Sequence, residues 1–154
     1  MKVTIRKAEP SDLPVLRSFE QGLIRDERPF DPTIRPDPVQ YYNLEELLSN
    51  QEARVLVAES GGQLLASGYA IRKCPRHYLD HDAYAYLGFM YTLPEYRGLG
   101  INGEIIKELR KWAREVGLYE MRLTVYNENH PAIRAYEKAG FTTHLTEMRL
   151  RDEP

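Results

Sequence analysis

Residues Tyr84–Ala113 read YAYLGFMYTLPEYRGLGINGEIIKELRKWA, and their order decides how the rest of the chain is understood. A strand-like run ends at Pro94, a glycine-rich turn follows, and a helix with an apolar stripe then begins. That succession leaves several backbone N–H groups unpaired at a helix N-terminus, all aimed one way. Unpaired amides and the helix dipole both favour an anion, so a phosphate site is expected there whatever the side chains are. The remaining chain is expected to support that site and to wall a pocket beside it.

Working outward toward the N-terminus, Arg72–Asp82 reads as a loop holding Cys74, Pro75, His77 and His81. Two histidines four apart suit a metal on a helix, but Pro75 and the missing helical stripe argue against one, so no metal is expected. Arg54–Ser60 (RVLVAES) is a short apolar strand, and Gln63–Ile71 its antiparallel partner. Gly61-Gly62 between them takes the positive φ values of a tight hairpin. The segment RDERPFDPTIRPDP, with prolines at 29, 32, 36 and 38, breaks helix and strand alike. A helix is expected to start at Asp37-Pro38, burying Tyr41, Leu44, Leu47 and Leu48. Before it, Ser11 caps a helix whose stripe is Leu13, Leu16, Phe19 and Leu23, running to about Ile24. Val3–Ala8 alternates as a first strand.

Toward the C-terminus, Gly117 stops the central helix, and Met121, Leu123 and Val125 form a strand. Pro131 opens a short helix, AIRAYEKA, closed by Gly140, and Phe141–Arg149 supplies one or two last strands. The order β-α-α-β-β-β-α-β-α-β belongs to the α/β class with a mixed sheet. A length of 154 residues fits one domain, 1–154, and buries roughly 68–70% of its extended surface.

Hydrophobic residues at 42% and charged residues at 29% describe an ordinary globular chain rather than a disordered one. A net charge of −2 offers no argument for nucleic acid or an acidic membrane surface as partner. No apolar run approaches membrane-spanning length, and no signal-peptide pattern is present. A single cysteine, Cys74, excludes an intramolecular disulfide framework, so a reducing, cytoplasmic setting is expected. Eleven tyrosines suit an aromatic pocket lining or a Tyr-rich core.

The turn Gly98-Leu99-Gly100-Ile101-Asn102-Gly103 matches the dinucleotide pattern G-x-G-x-x-G literally. In a dinucleotide fold, however, the first glycine follows the strand directly, whereas Pro94-Glu95-Tyr96-Arg97 intervenes here. That fold also places an acidic residue about twenty positions on, where this chain has Tyr126-Asn127. A Walker A loop is excluded, because no Gly-Lys-Ser/Thr follows the glycines.

Two motifs in register fit better. MYTLPEYRGLGIN, followed by a helix, a strand and NHPAIRAYEKAGF, resembles the GNAT superfamily of acyl-CoA N-acyltransferases. Arg97 and Gly100 match its pyrophosphate loop, (Arg/Gln)-x-x-Gly-x-(Gly/Ala). Asn129, Ala132, Tyr136, Gly140 and Phe141 match its Asn-x-x-Ala…Tyr-x-x-x-Gly-Phe signature. The last small residue of the loop is replaced by Asn102. The resemblance covers Val3–Arg149 in element order and implies a mainly antiparallel central sheet flanked by helices.

The resemblance further implies acetyl-CoA as cosubstrate and a primary amine as acceptor. The amides of Gly98, Leu99, Gly100, Ile101, Asn102 and Gly103, with Arg97, would hold the pyrophosphate. The backbone of Met90, Tyr91 and Thr92 would pair with the pantetheine arm, one amide there stabilising the thioester oxygen as charge develops. Asn129 would contact the arm from the other side, and Tyr136 would protonate the leaving thiolate. The amine would attack directly, with no covalent enzyme intermediate. Relatives carry a glutamate on the fourth strand where Tyr86 stands here. A neutral tyrosine is a poor base, so Tyr86 and Glu27 are the candidates for base or substrate binding, with Asp26, Asp82, a water chain or an amine that deprotonates before binding as alternatives. Glu27 lies where relatives build the acceptor pocket. A homodimer is compatible with the resemblance. Two other classes stay open: an acyl-CoA-binding module without catalysis, and a nicotinamide-dependent oxidoreductase.

Overall fold

Alternation of apolar residues builds a five-stranded sheet. The computed structural model describes Met1–Pro154. Its strands are β1 (Thr4–Lys7), β2 (Ala53–Ser60), β3 (Gln63–Lys73), β4 (Tyr84–Thr92) and β5 (Met121–Arg122), paired in that spatial order. The first three pairings are antiparallel and the last is parallel, so the sheet is mixed and mainly antiparallel as expected. Gly61 and Gly62, at φ 57° and 80°, turn β2 into β3.

Helices cover both faces. On one, α3 (Ile101–Glu115) buries Ile101, Ile105, Ile106, Leu109 and Trp112 against Leu56, Leu65, Ala70 and Leu87. On the other, α1 (Leu13–Glu27) and α2 (Leu44–Ser49) bury Leu16, Phe19, Leu44 and Leu47 against Val55, Val57, Phe89 and Tyr91. The fourth helix, α4 (His130–Lys138), lies beyond β5 in the chain and ends at Gly140, φ 109°.

A bulge in β4 reverses which residues face which helix. Ser67 pairs with Tyr91 but Tyr69 with Gly88, so β4 carries one extra residue there. Before the bulge, Ala85 and Leu87 face α3; after it, Phe89 and Tyr91 face α1 and Met90 packs toward α3. Phe89 takes φ 56°, its amide donating to the Tyr42 hydroxyl at 3.1 Å. Its carbonyl accepts from the buried Ser67 hydroxyl at 3.0 Å. Ser67→Ala is expected to cost about 1 kcal/mol in denaturant unfolding, the net worth of one buried hydrogen bond. A stability equal to the parent's would show that the bulge is held without it.

Several boundaries differ from expectation. Ser11 does not cap α1; it lies inside a 3-10 turn, Pro10–Asp12. The Asp12 carboxylate takes the Glu9 amide at 2.7 Å and the Arg6 guanidinium at 2.9 and 3.0 Å. The helix runs past Ile24 to Glu27. The second helix begins at Leu44, capped by Asn43, not at Asp37-Pro38. Glu20, buried in α1, explains this: its carboxylate captures the amides of Tyr41 and Tyr42 at 2.8 and 2.7 Å and holds them out of a helix.

β5 is only Met121–Arg122, so Leu123 and Val125 lie beyond the pairing. The expected strands in Phe141–Arg149 are absent. A two-residue β5 offers them little ladder, and Leu145, Met148 and Leu150 stay 79%, 89% and 91% exposed.

Candidate active site

The parallel pair β4–β5 opens into a cleft. Pairing is confined to Ala85 with Met121 and Tyr86 with Arg122, while β4 continues to Thr92. Beyond Tyr86 its edge therefore faces no strand. Leu93 donates to Leu65 on the β3 side at 2.8 Å, so alternation turns the amides of Thr92 and Met90 toward the open edge. Tyr91 is buried at 5.3 Å from Phe19, which leaves its backbone as the part a ligand can reach.

At the end of that edge a turn at Pro94–Tyr96 leads to Gly98 and Gly100, at φ 80° and 82°, and α3 starts at Ile101. No atom lies within 4 Å of where a Cβ would stand on Gly98, Gly100 or Gly103. The turn is thus an open cradle of amides at a fifteen-residue helix, anchored by buried Ile101 with Leu99 exposed and Asn102 half-buried. Arg97 does not point freely into the cradle. Its Nε donates to the Thr92 carbonyl at 2.8 Å, its Nη2 pairs with Asp26 at 2.7 Å, and its guanidinium lies 5.4 Å from the Tyr91 ring centre. That arrangement ties α1 to the turn.

Tyr136 belongs to α4, whose first turn is capped by Asn129, the side-chain oxygen accepting from the Ala132 amide at 3.4 Å. The Tyr136 ring meets Phe141 edge-on at 5.9 Å. Burial, seconded by Glu27 and Tyr86, pushes its hydroxyl pKa up to about 12. Tyr86 shares a hydrogen bond with Thr124 at 2.9 Å and carries the Lys73 ammonium 4.5 Å from its ring centre. Three elements thus bring Glu27, Tyr86 and Tyr136 into one electrostatic neighbourhood.

Glu27 closes α1 half-buried and makes no ion pair. Desolvation raises its pKa, Tyr41 opposes that rise, and Asp26 and Asp31 add to it. The Tyr41 hydroxyl is itself buried and reaches hydrogen-bonding geometry with no group. Because the native state holds the Glu27 proton more tightly than the unfolded chain does, stability falls as pH rises through the interval between the two pKa values. Glu27→Gln is therefore expected to raise Tm at pH 7 and to leave it unchanged below the unfolded value, near pH 4. A fall in Tm at pH 7 would mean that the carboxylate is held by a favourable partner.

The other base candidates are placed less well. Asp26 is engaged by Arg97, and Asp82 is exposed ahead of β4. His81 is occupied by Asp80 and Arg122, and Cys74 is exposed. Sequence reasoning missed Tyr41, Asp31 and Tyr126. Tyr126 donates to Asp31 at 3.1 Å and stacks on Phe30 at 6.0 Å, while Arg149 reaches Asp31 at 3.3 Å and Thr33 at 3.1 Å. These contacts join residues roughly a hundred positions apart, and only the tyrosine content hinted at them.

A family model for the acetyltransferase (GNAT) family matches residues 20–141. The chain belongs to that family.

Among relatives of this acetyltransferase is the SPbeta prophage-derived uncharacterized N-acetyltransferase YokL of Bacillus subtilis. It is 27% identical over 152 residues, covering 97% of this chain and 79% of the relative. The aminoglycoside N(6')-acetyltransferase type 1 of Stenotrophomonas maltophilia is 25% identical over 157 residues, covering 98% of this chain and 95% of the relative. In fold, the chain matches a predicted acetyltransferase from Clostridium acetobutylicum solved with acetyl-CoA. The TM-score is 0.75 at 22% identity, over 97% of this chain and 96% of that one. The chain is accordingly an N-acetyltransferase with a five-stranded mixed sheet flanked by helices. The open β4 edge and the unobstructed glycine turn fit a cosubstrate with a pyrophosphate and an amide-bearing arm.

Proposed function

We propose that this acetyltransferase, acting as one domain over residues 1–154, transfers an acetyl group from acetyl-CoA to a primary amine by direct attack. The observation that carries the reading is the parting of β4 from β5 between the open glycine turn at the start of α3 and the Tyr136–Glu27 neighbourhood. Acetyl-CoA supplies the activated acyl group and a thiolate leaving group. The amides of Gly98–Gly103 hold its pyrophosphate, with Arg97 steadying the turn through Thr92 and Asp26. Met90 and Thr92 present amides to the arm, and one of them faces the thioester oxygen. Asn129 shapes the opposite wall as the cap of α4.

Glu27 receives a proton from the acceptor ammonium, which frees the nitrogen lone pair. The new N–C bond forms as the C–S bond breaks, and Tyr136 gives its proton to the departing sulfur. A hydroxyl at about 12 is a weak donor in water. The burial that raises it raises the thiolate's proton affinity as well, so the two stay matched. Tyr86 lines the acceptor side and, bonded to Thr124, serves as wall rather than base. No helix is long and apolar enough to cross a membrane. A reducing, cytoplasmic setting suits the lone exposed Cys74.

The test is thiol release from acetyl-CoA in the presence of a panel of primary amines, with the acetylated product identified by mass. Amine-dependent release is expected. Tight acetyl-CoA binding with no release on any amine would favour a binding module over an enzyme.

A further inference from the structure

Three carboxylates stand where α1 gives way to the following loop, and two of them are already neutralised. Asp26 is paired with Arg97 at 2.7 Å. Asp31 is paired with Arg149 at 3.3 Å and also accepts from Tyr126 and from the amide and hydroxyl of Thr33. Glu27 is half-buried and has no cation, and the Tyr41 hydroxyl that approaches it does not close a hydrogen bond of good geometry. Arg28, the next residue in the chain, bonds Asp37 and the Arg35 carbonyl, and Lys73 sits over the Tyr86 ring. The Tyr41 hydroxyl is buried and has no partner in hydrogen-bonding geometry, Glu27 being the acceptor it faces. Aromatic side chains flank Glu27, with Tyr42, Tyr126 and Tyr136 within its electrostatic reach and Phe30 stacked on Tyr126.

A half-buried carboxylate without a counter-charge is costly, and so is a buried hydroxyl without a partner. Both costs are relieved together when one ammonium enters. Glu27 takes the cation on one oxygen, and Tyr41 is placed to donate to the other. A second cation on the same acceptor finds neither Asp26 nor Asp31 free. It must displace Arg97 or Arg149, or lie desolvated among aromatic rings.

Resting on the acetyl-transfer reading above, we infer that the acceptor is a monocationic primary amine with an aromatic or otherwise flat apolar body. Glu27 is its single charge receptor, and polycationic amines are disfavoured. This separates the chain from the aminoglycoside acetyltransferase it resembles.

Calorimetric titration of the full chain decides it, first with CoA and then, at saturating CoA, with 2-phenylethylamine, 1,5-diaminopentane and neomycin at fixed ionic strength. The aromatic monoamine is expected to bind on the order of tenfold more tightly than either polycation. Glu27→Gln should weaken that amine by about tenfold or more. Arg149→Ala should leave it unchanged while tightening the diamine several-fold, because Asp31 is released as a second receptor. Tighter binding of the diamine or neomycin to the parent chain would overturn the inference. So would undiminished amine binding by Glu27→Gln, or no amine binding once CoA is bound. A failure of the coenzyme reading shows separately as no CoA binding in the first titration, and it removes both proposals. Amine selectivity without thiol release would count against transfer alone.

Discussion

Gly100→Val is expected to abolish acetyl-CoA binding in a chain that still folds. Gly100 sits at φ 82° as the N-cap of α3, a conformation that a β-branched residue adopts only with strain. Its missing side chain opens the cradle where the amides of the turn converge, and no protein atom lies within 4 Å of the added Cβ. The methyl groups would therefore stand in the space of the pyrophosphate rather than against the core. A loss of at least about 100-fold in affinity, roughly 2.7 kcal/mol, is expected from calorimetric titration. Gly117→Val is the matching control: it carries the same backbone strain, φ 81°, at the far end of α3. It should destabilise the fold and spare acetyl-CoA binding. Normal binding by a folded Gly100→Val protein would remove the pyrophosphate-turn assignment.

Tyr136→Phe is expected to lower kcat by roughly 10–100-fold, about 1.4–2.7 kcal/mol, while the Kd for acetyl-CoA stays as it was. The low end of acid-catalysis effects is appropriate because a hydroxyl held near 12 is a weak acid in either protein or water. The pH profile carries an independent sign. A general acid must be protonated, so its alkaline limb should fall only as pH rises toward about 12, and kcat should show no decline from this group across ordinary assay conditions. Turnover unchanged in the phenylalanine variant would assign the proton to another donor.

The parts of the site legible in the sequence are those whose geometry is local. Gly61-Gly62, Gly98-x-Gly100 and Gly117 each announce a positive φ that their neighbours require, and all three turns stand where expected. Asn129, Pro131 and Gly140 bracket α4 within a dozen residues. What stayed hidden depends on partners far along the chain. No local rule places Phe89 at φ 56°; Ser67, twenty-two residues away, and Tyr42, forty-seven away, hold both of its backbone groups. The start of α2 was misplaced because Glu20 claims the amides of Tyr41 and Tyr42 across twenty-one and twenty-two residues.

The same reason hid the isolation of Glu27. It became visible only when Arg97 and Arg149 proved to be spoken for by its neighbours Asp26 and Asp31, across seventy-one and one hundred and eighteen residues. Phe141–Arg149 shows the converse error. The sequence suggests one or two strands there, but strands need an edge to pair with, which the two residues of β5 do not extend far enough to supply.

Thermal unfolding with acetyl-CoA, with NADH and without ligand tests the central claim most directly. At about 100 times its Kd a ligand adds roughly 2.7 kcal/mol. For a domain of this size that is a shift of about 5–11 °C. A shift of that order with acetyl-CoA and none with NADH is predicted. No shift with acetyl-CoA at millimolar concentration would contradict the account, because a glycine turn crowded by Asn102 would then hold no coenzyme.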